Sequence, residues 1–165
     1  MSISLIVAID KRNAIGFKGD QLAYISDDLK HFKAITQHHT IVMGRKTSEA
    51  LPKGILPNRR NIILTHDKTW RCEGAEIAYE VEEVLEMVKD DGEVFIIGGG
   101  VLYEAFMPHA RRLYITHIDH RFPNVDTFFP KIDNKRWQED SRCTSEMFTD
   151  EKTGLSYCFK EYEER

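Results

Sequence analysis

The stretch Val94-Phe95-Ile96-Ile97-Gly98-Gly99-Gly100-Val101-Leu102-Tyr103-Glu104 runs from consecutive apolar residues through three glycines into a helical pattern. An apolar run with no polar face suits a strand in the middle of a sheet covered on both sides. Glycines at its exit let the backbone approach a ligand that a Cβ would exclude. The same grammar recurs upstream. Ile41-Val42-Met43 leads through Gly44 into Arg45-Lys46-Thr47, and Ile62-Ile63-Leu64 is a third apolar run. Working outward, strands are predicted over Ile3–Ile9, Thr40–Met43, Asn61–Leu64, Glu76–Ala78, Val94–Ile97 and Arg112–Ile118. Helices are predicted between them over Ser26–Ile35, Lys46–Leu51, Val81–Lys89 and Val101–Met107. Trp137–Thr144 and Ser156–Tyr162 alternate more regularly and predict an antiparallel edge hairpin through a turn at Thr153-Gly154. The expected fold is α/β. It comprises one domain over residues 1–165, with a central mixed, mostly parallel sheet of about eight strands, helices on both faces and the C-terminal hairpin.

Bulk properties narrow the function classes. With 165 residues, 41% hydrophobic and 30% charged, the chain can bury a core without staples. Its net charge of −4 argues against a partner bound through nucleic-acid phosphates. The cysteines Cys72, Cys143 and Cys158 form neither a zinc pattern nor a disulfide framework, so free thiols in a reducing cytoplasm are expected, and no metal. The opening Met1-Ser2-Ile3-Ser4-Leu5-Ile6 reads as a first strand rather than a signal peptide. No apolar run approaches the roughly 20 residues of a membrane helix.

Three places carry candidate chemistry. Asp27 and Asp28 are adjacent at a helix start, with Ser26 as the expected N-cap. Helical periodicity puts Asp28 on the face of Phe32 and Ile35, flanked by Leu29, while Asp27 turns to Lys30, His31 and Ala34. A carboxylate that turns inward is costly unless something donates to it, so a ligand with paired N–H groups is the functional reading and a helix-capping role the plainer one. The Gly44–Thr47 junction offers an anion site without a Walker spacing. The Gly98–Gly100 junction offers a second and lacks the third glycine of the dinucleotide fingerprint. Two such junctions in one sheet could hold the two ends of a pyrophosphate cofactor. Arg59 could clamp a carboxylate in bidentate fashion or be a solvated turn residue. The seven histidines read as surface groups, and Asp126 as a turn cap.

Eight segments in this order resemble bacterial dihydrofolate reductases over almost the whole chain. They are Ser4–Ala8, Ala14-Ile15-Gly16, Asp28-Leu29-x-x-Phe32-Lys33, Ile41–Thr47, Leu56-Pro57-Asn58-Arg59-x-Asn61, Ile96–Gly100 with Tyr103, Tyr114-Ile115-Thr116-x-Ile118-Asp119 and Asp126-Thr127-x-Phe129-Pro130. The resemblance implies hydride transfer from NADPH to dihydrofolate, serving one-carbon metabolism in a monomeric cytoplasmic enzyme that antifolates target. It implies Asp28 as the active-site carboxylate accepting from the pterin, with Thr116 sharing the pterin amino group. Ile6, Ala8, Leu29, Phe32 and Lys33 would line the substrate together with Leu51, Ile97 and Tyr103. Arg59 would clamp the glutamate tail.

For the cofactor, the resemblance implies Gly44, Arg45, Lys46 and Thr47 at phosphates, with Leu64, Thr65 and His66 alongside. Gly98, Gly99 and Gly100 would follow, with a cis bond expected at Gly98–Gly99, then Val101, Leu102, Tyr103 and Ala105. Ala8, Ala14, Ile15, Gly16, Gly19 and Asp20 would approach the nicotinamide, residues 14–20 forming a mobile loop. The chain departs from the family at Leu22-Ala23-Tyr24-Ile25-Ser26, where Pro-Trp is usual, and at Ser48, where an aromatic is usual. The rivals are a riboflavin-pathway reductase of the same fold and a non-catalytic folate-binding or mRNA-binding homologue.

Overall fold

A computed structural model describes all residues from Met1 to Arg165. They separate into two compact units, Met1–Leu5 with Thr36–Ala110, and Ile6–Ile35 with Arg111–Arg165. The first strand, β1 (Ser2–Ile9), gives its first half to one unit and its second half to the other.

In the first unit the strand order is β1, β7 (Glu93–Gly98), β4 (Thr40–Gly44), β5 (Arg60–Leu64), β6 (Ala75–Ala78), every neighbouring pair parallel. Ile41, Val42, Met43, Ile62, Ile63, Val94, Phe95 and Ile96 are all completely buried, which is why these strands show no polar face. Helix α2 (Arg45–Glu49) packs on β4 and β5, α3 (Val81–Met87) on β5 and β6, and α4 (Gly100–Phe106) on β7. Arg60 ties the strand starts together. Its guanidinium meets Glu76 at 2.6 Å and Asp91 at 2.8 Å, and Asp91 also accepts from the Thr40 hydroxyl at 2.6 Å.

The second unit is built on antiparallel pairing. β12 (Ser156–Glu164) lies between β8 (Ala110–Ile118) and β10 (Trp137–Glu139), and also pairs with β11 (Phe148–Thr149). Here the C-terminal hairpin expected from sequence needs correction. The tight turn at Thr153-Gly154 joins β11 to β12, whereas β10 pairs with the far end of β12. The strand predicted to Thr144 stops at Glu139, because the Asp140 carboxylate accepts from the Arg142 N–H and starts a 3-10 turn over Ser141–Cys143.

Residues 14–20 also differ from the expected loop. They contain β2 (Ala14–Phe17) and begin β3 (Asp20–Gln21), which form a small sheet with β9 (Thr127–Phe128). Buried Asp10 starts this hairpin by accepting from the N–H groups of Arg12, at 2.8 Å, and Ala14, at 2.9 Å. Asp126 holds its turn by accepting from Lys18 N–H at 2.9 Å. Gly16 is required there, since a Cβ would stand 2.9 Å from the Asp20 carbonyl oxygen. No helix is long and apolar enough to cross a membrane.

Candidate active site

Helix α1 (Ser26–Thr36) begins one residue earlier than its expected cap implied. Leu29 N–H bonds to the Ile25 carbonyl, so Ile25 holds the cap position and Ser26 is the first helical residue. The buried apolar cap residue packs with Ile118 and Tyr157, with Ala8 and Ala23 against them. That packing sets the angle of the first turn and therefore of its two carboxylates.

The two carboxylates part as helical geometry requires. Asp27 is exposed and accepts from the Tyr157 hydroxyl at 2.8 Å. Asp28 is half-buried and accepts from the Thr116 hydroxyl at 2.6 Å through Oδ1. Thr116 itself is buried, on the central part of β8. No protein donor meets Oδ2. Burial pushes the Asp28 carboxyl up, outweighing the Thr116 hydroxyl and the nearby His31, both of which favour its charged form. Along α1 only Thr36 is fully buried. Phe32 and Ile35 are half-buried and Leu29 is 48% exposed, so the apolar stripe beside Asp28 is incompletely covered by protein. Ile6 is buried, Ala8 half-buried and Lys33 exposed.

Three histidines correct the surface reading, the first being His39, half-buried with its ring edge-on to buried Phe95 at 5.5 Å between centres. His31 stacks on Phe159 at 3.8 Å between ring centres, and burial lowers its pKa. His117 is half-buried, with Nε2 2.8 Å from the Tyr162 hydroxyl, and burial lowers its pKa to about 4. His31 and His117 sit among aromatic residues of β12, which a scan for metal-like spacing does not register.

The first unit brings the two glycine junctions together. A Cβ on Gly44 would lie 3.7 Å from the Leu102 Cδ1 and 3.8 Å from the Gly98 carbonyl oxygen. A Cβ on Gly98 would meet the Tyr103 hydroxyl at 3.4 Å and Thr47 Oγ1 at 3.7 Å. Gly98 has φ +130°, and the Gly98–Gly99 peptide is cis as expected. Gly44 and Gly99 occupy the cap positions of α2 and α4, and no side chain caps either helix. Beside this cradle is a mainly apolar cleft of about 290 Å³. Six predicted residues line it: Leu64, Thr65, His66, Val101, Leu102 and Ala105. Tyr79, Glu80 and Val81 complete it and were missed from sequence. They connect β6 to α3, in a polar turn with no glycine signal.

The cationic residues divide. Lys46 is exposed, and Arg45 pairs with Asp67 at 3.1 Å and Glu49 at 3.3 Å. Arg59 donates through Nε to the Pro57 carbonyl and through Nη1 to Thr36 Oγ1, both at 3.0 Å, and is in no ion pair. Burial lowers its pKa. Leu51 and Ile97 are half-buried. Ser48 is buried, with its hydroxyl donating to the Gly54 carbonyl at 2.6 Å, so a small residue suits the space where the family has an aromatic. Tyr24 donates to the Asp20 carboxylate, not to Asp28. The three cysteines are free.

Comparison with known proteins gives a consistent result. The family model described as dihydrofolate reductase matches residues 2–164. The dihydrofolate reductase of Staphylococcus haemolyticus is 40% identical over 163 residues, 99% of this chain and 96% of that protein. A type 3 dihydrofolate reductase of Salmonella typhimurium is 42% identical over 144 residues, 87% of this chain and 88% of that one. A solved structure of the Enterococcus faecalis dihydrofolate reductase, complexed with NADP(H) and RAB-propyl, superposes with a TM-score of 0.90 at 34% identity. It covers 99% of this chain and 96% of its own.

Proposed function

The chain belongs to the dihydrofolate reductase family, and on that premise we propose that it reduces dihydrofolate to tetrahydrofolate with NADPH. The observation that carries this reading is the Asp28–Thr116 pair, a half-buried carboxylate with one oxygen supported by a hydroxyl and the other free of protein donors. A flat heterocycle offering a ring N–H and an exocyclic amino group satisfies that free oxygen and the Thr116 hydroxyl oxygen together. The incompletely covered apolar stripe of Leu29, Phe32 and Ile35 supplies dispersion contact for such a ring.

The family's cofactor fits the first unit. The cradle of Gly44, Gly98 and Gly99 admits a pyrophosphate that any Cβ would crowd, and Thr47 offers it a hydroxyl. The cleft beside Leu102 and Val101 suits an adenine ring. Arg45 and Lys46 are the cations for a ribose phosphate. The bound cofactor supplies the hydride, and the chain's residues supply orientation and charge. Asp28 fixes the heterocycle by the edge remote from the nitrogen that must gain a proton. Its negative charge raises the basicity of that nitrogen, and water delivers the proton. Arg59, a cation without a counter-charge, holds the carboxylate of the substrate's tail. Ala14, Ile15, Gly16, Gly19 and Asp20, on the β2–β3 hairpin, take the nicotinamide end.

We read residues 1–165 as one reductase domain acting as a monomer in the cytoplasm, where free cysteines persist. The riboflavin-pathway and non-catalytic alternatives are not favoured by any comparison. The test is NADPH oxidation by the purified chain, offered dihydrofolate or a ribityl-pyrimidine phosphate in turn. Turnover with dihydrofolate alone is expected. Turnover with the pyrimidine alone, or with neither, would overturn the assignment.

A further inference from the structure

We infer that Asp67 sets the coenzyme preference of this chain by competing with the ribose phosphate of NADPH for Arg45. The inference rests on the proposed use of Arg45 and Lys46 as phosphate cations. Arg45 is not a free cation. Its Nη1 meets Asp67 Oδ2 at 3.1 Å, its Nε meets Glu49 Oε1 at 3.3 Å, and its guanidinium lies 5.6 Å from the Trp70 ring centre. One positive group is thus flanked by two negative ones, and a phosphate arriving at Arg45 meets carboxylates already on two of its donors.

The geometry separates two tasks of Asp67. Oδ1 accepts from the Thr69 N–H at 2.9 Å and from the Thr69 hydroxyl at 2.7 Å, which shapes the loop after β5. Oδ2 is left to point at Arg45. The same bonds from Thr69, with Arg45 beside them, hold the Asp67 carboxyl below its usual range, so it is fully charged at neutral pH. The loop therefore presents a fixed anion to the guanidinium, in the manner of an internal stand-in for phosphate. A dianionic ligand must displace Oδ2 or share Arg45 with it, at a cost that NADH, lacking the phosphate, does not meet.

Asp67→Asn tests this cleanly, because the amide oxygen can still accept from Thr69 while the charge is lost. The measurement is the dissociation constant of NADPH and of NADH, read by fluorescence at several salt concentrations, with a melting curve to confirm folding. NADPH is expected to bind about three- to tenfold more tightly to D67N at low salt, the gain shrinking as salt rises, while NADH changes by less than about twofold. Glu49→Gln should act in the same direction more weakly, and Asp67→Ser, whose hydroxyl can still accept from Thr69 without a charge, decides the question if D67N does not fold. Unchanged or weaker NADPH binding, or an equal gain for NADH, would overturn the inference. A wild-type chain that binds neither coenzyme would instead sink the underlying assignment along with it.

Discussion

The Thr116 hydroxyl donates to Asp28 Oδ1 across 2.6 Å, linking the central part of β8 to the first turn of α1. The bond favours the charged carboxylate, against burial, which disfavours it. Thr116→Val removes the favourable contribution alone. The Asp28 pKa should then rise further, and the pH dependence of turnover should shift to higher pH. Loss of one charge-assisted bond should weaken folate binding by roughly tenfold. A pH–rate profile of the variant checks both; an unmoved profile would detach Thr116 from Asp28.

Asp28 also bears on stability. Its folded pKa lies above the unfolded value, so the folded state holds the proton more tightly, and stability falls as pH rises through that window. At neutral pH the charge is therefore a cost. Asp28→Asn should raise the melting temperature by about 2–4 °C at pH near 7 and leave it unchanged in strong acid. Calorimetry at the two pH values measures the difference.

Arg59 and Arg60 stand side by side with opposite assignments. Arg60 is locked between Glu76 and Asp91, and Arg59 is in no ion pair. Arg59→Ala should raise KM for dihydrofolate by about ten- to a hundredfold with little change in kcat, since a tail contact is made equally in ground and transition states. Lysine should rescue only in part, because it cannot bind a carboxylate through two parallel bonds. Arg60→Ala should instead lower the melting temperature. Steady-state kinetics and thermal unfolding of the two variants separate these roles.

His117 gives the opposite pH response to Asp28. Burial, with a smaller contribution from Lys160, lowers its pKa from 6.5 to about 4. The unfolded chain takes up the proton first on acidification, so stability is lost between those values as pH falls. With a half-buried ring and solvent screening, the loss amounts to about 1–2 kcal/mol. His117→Gln should flatten the melting temperature across that window.

The parallel part of the fold was legible because burial on both faces leaves an unbroken apolar signature, as in Ile41–Met43 and Val94–Ile96. Gly44 and Gly98 were legible for a local backbone reason, since Gly98 holds φ +130° and Gly44 brings its backbone up to Leu102 and the Gly98 carbonyl. The β2–β3 hairpin was not, because its strands are held by Asp10 and Asp126, whose partners lie far along the chain or on backbone N–H groups. Residues after Glu139 misled for a similar reason. Their alternation suits a strand, yet Asp140 binds Arg112 and Arg142 and turns the backbone instead. Periodicity reads burial, and it is blind to a side chain that competes for backbone donors. Tyr79, Glu80 and Val81 fall in the same blind spot. The inward turn of the Asp28 carboxylate was legible from helical position, and its bond to Thr116 is the detail that periodicity alone could not supply.

The most direct test compares NADPH oxidation by dihydrofolate in the wild type and in Asp28→Asn, at neutral pH and in mild acid. If Asp28 orients the heterocycle and raises its basicity, the variant folds, turns over about a hundredfold or more slowly at neutral pH, and regains part of the loss in acid. A folded variant with wild-type turnover at neutral pH would contradict the account.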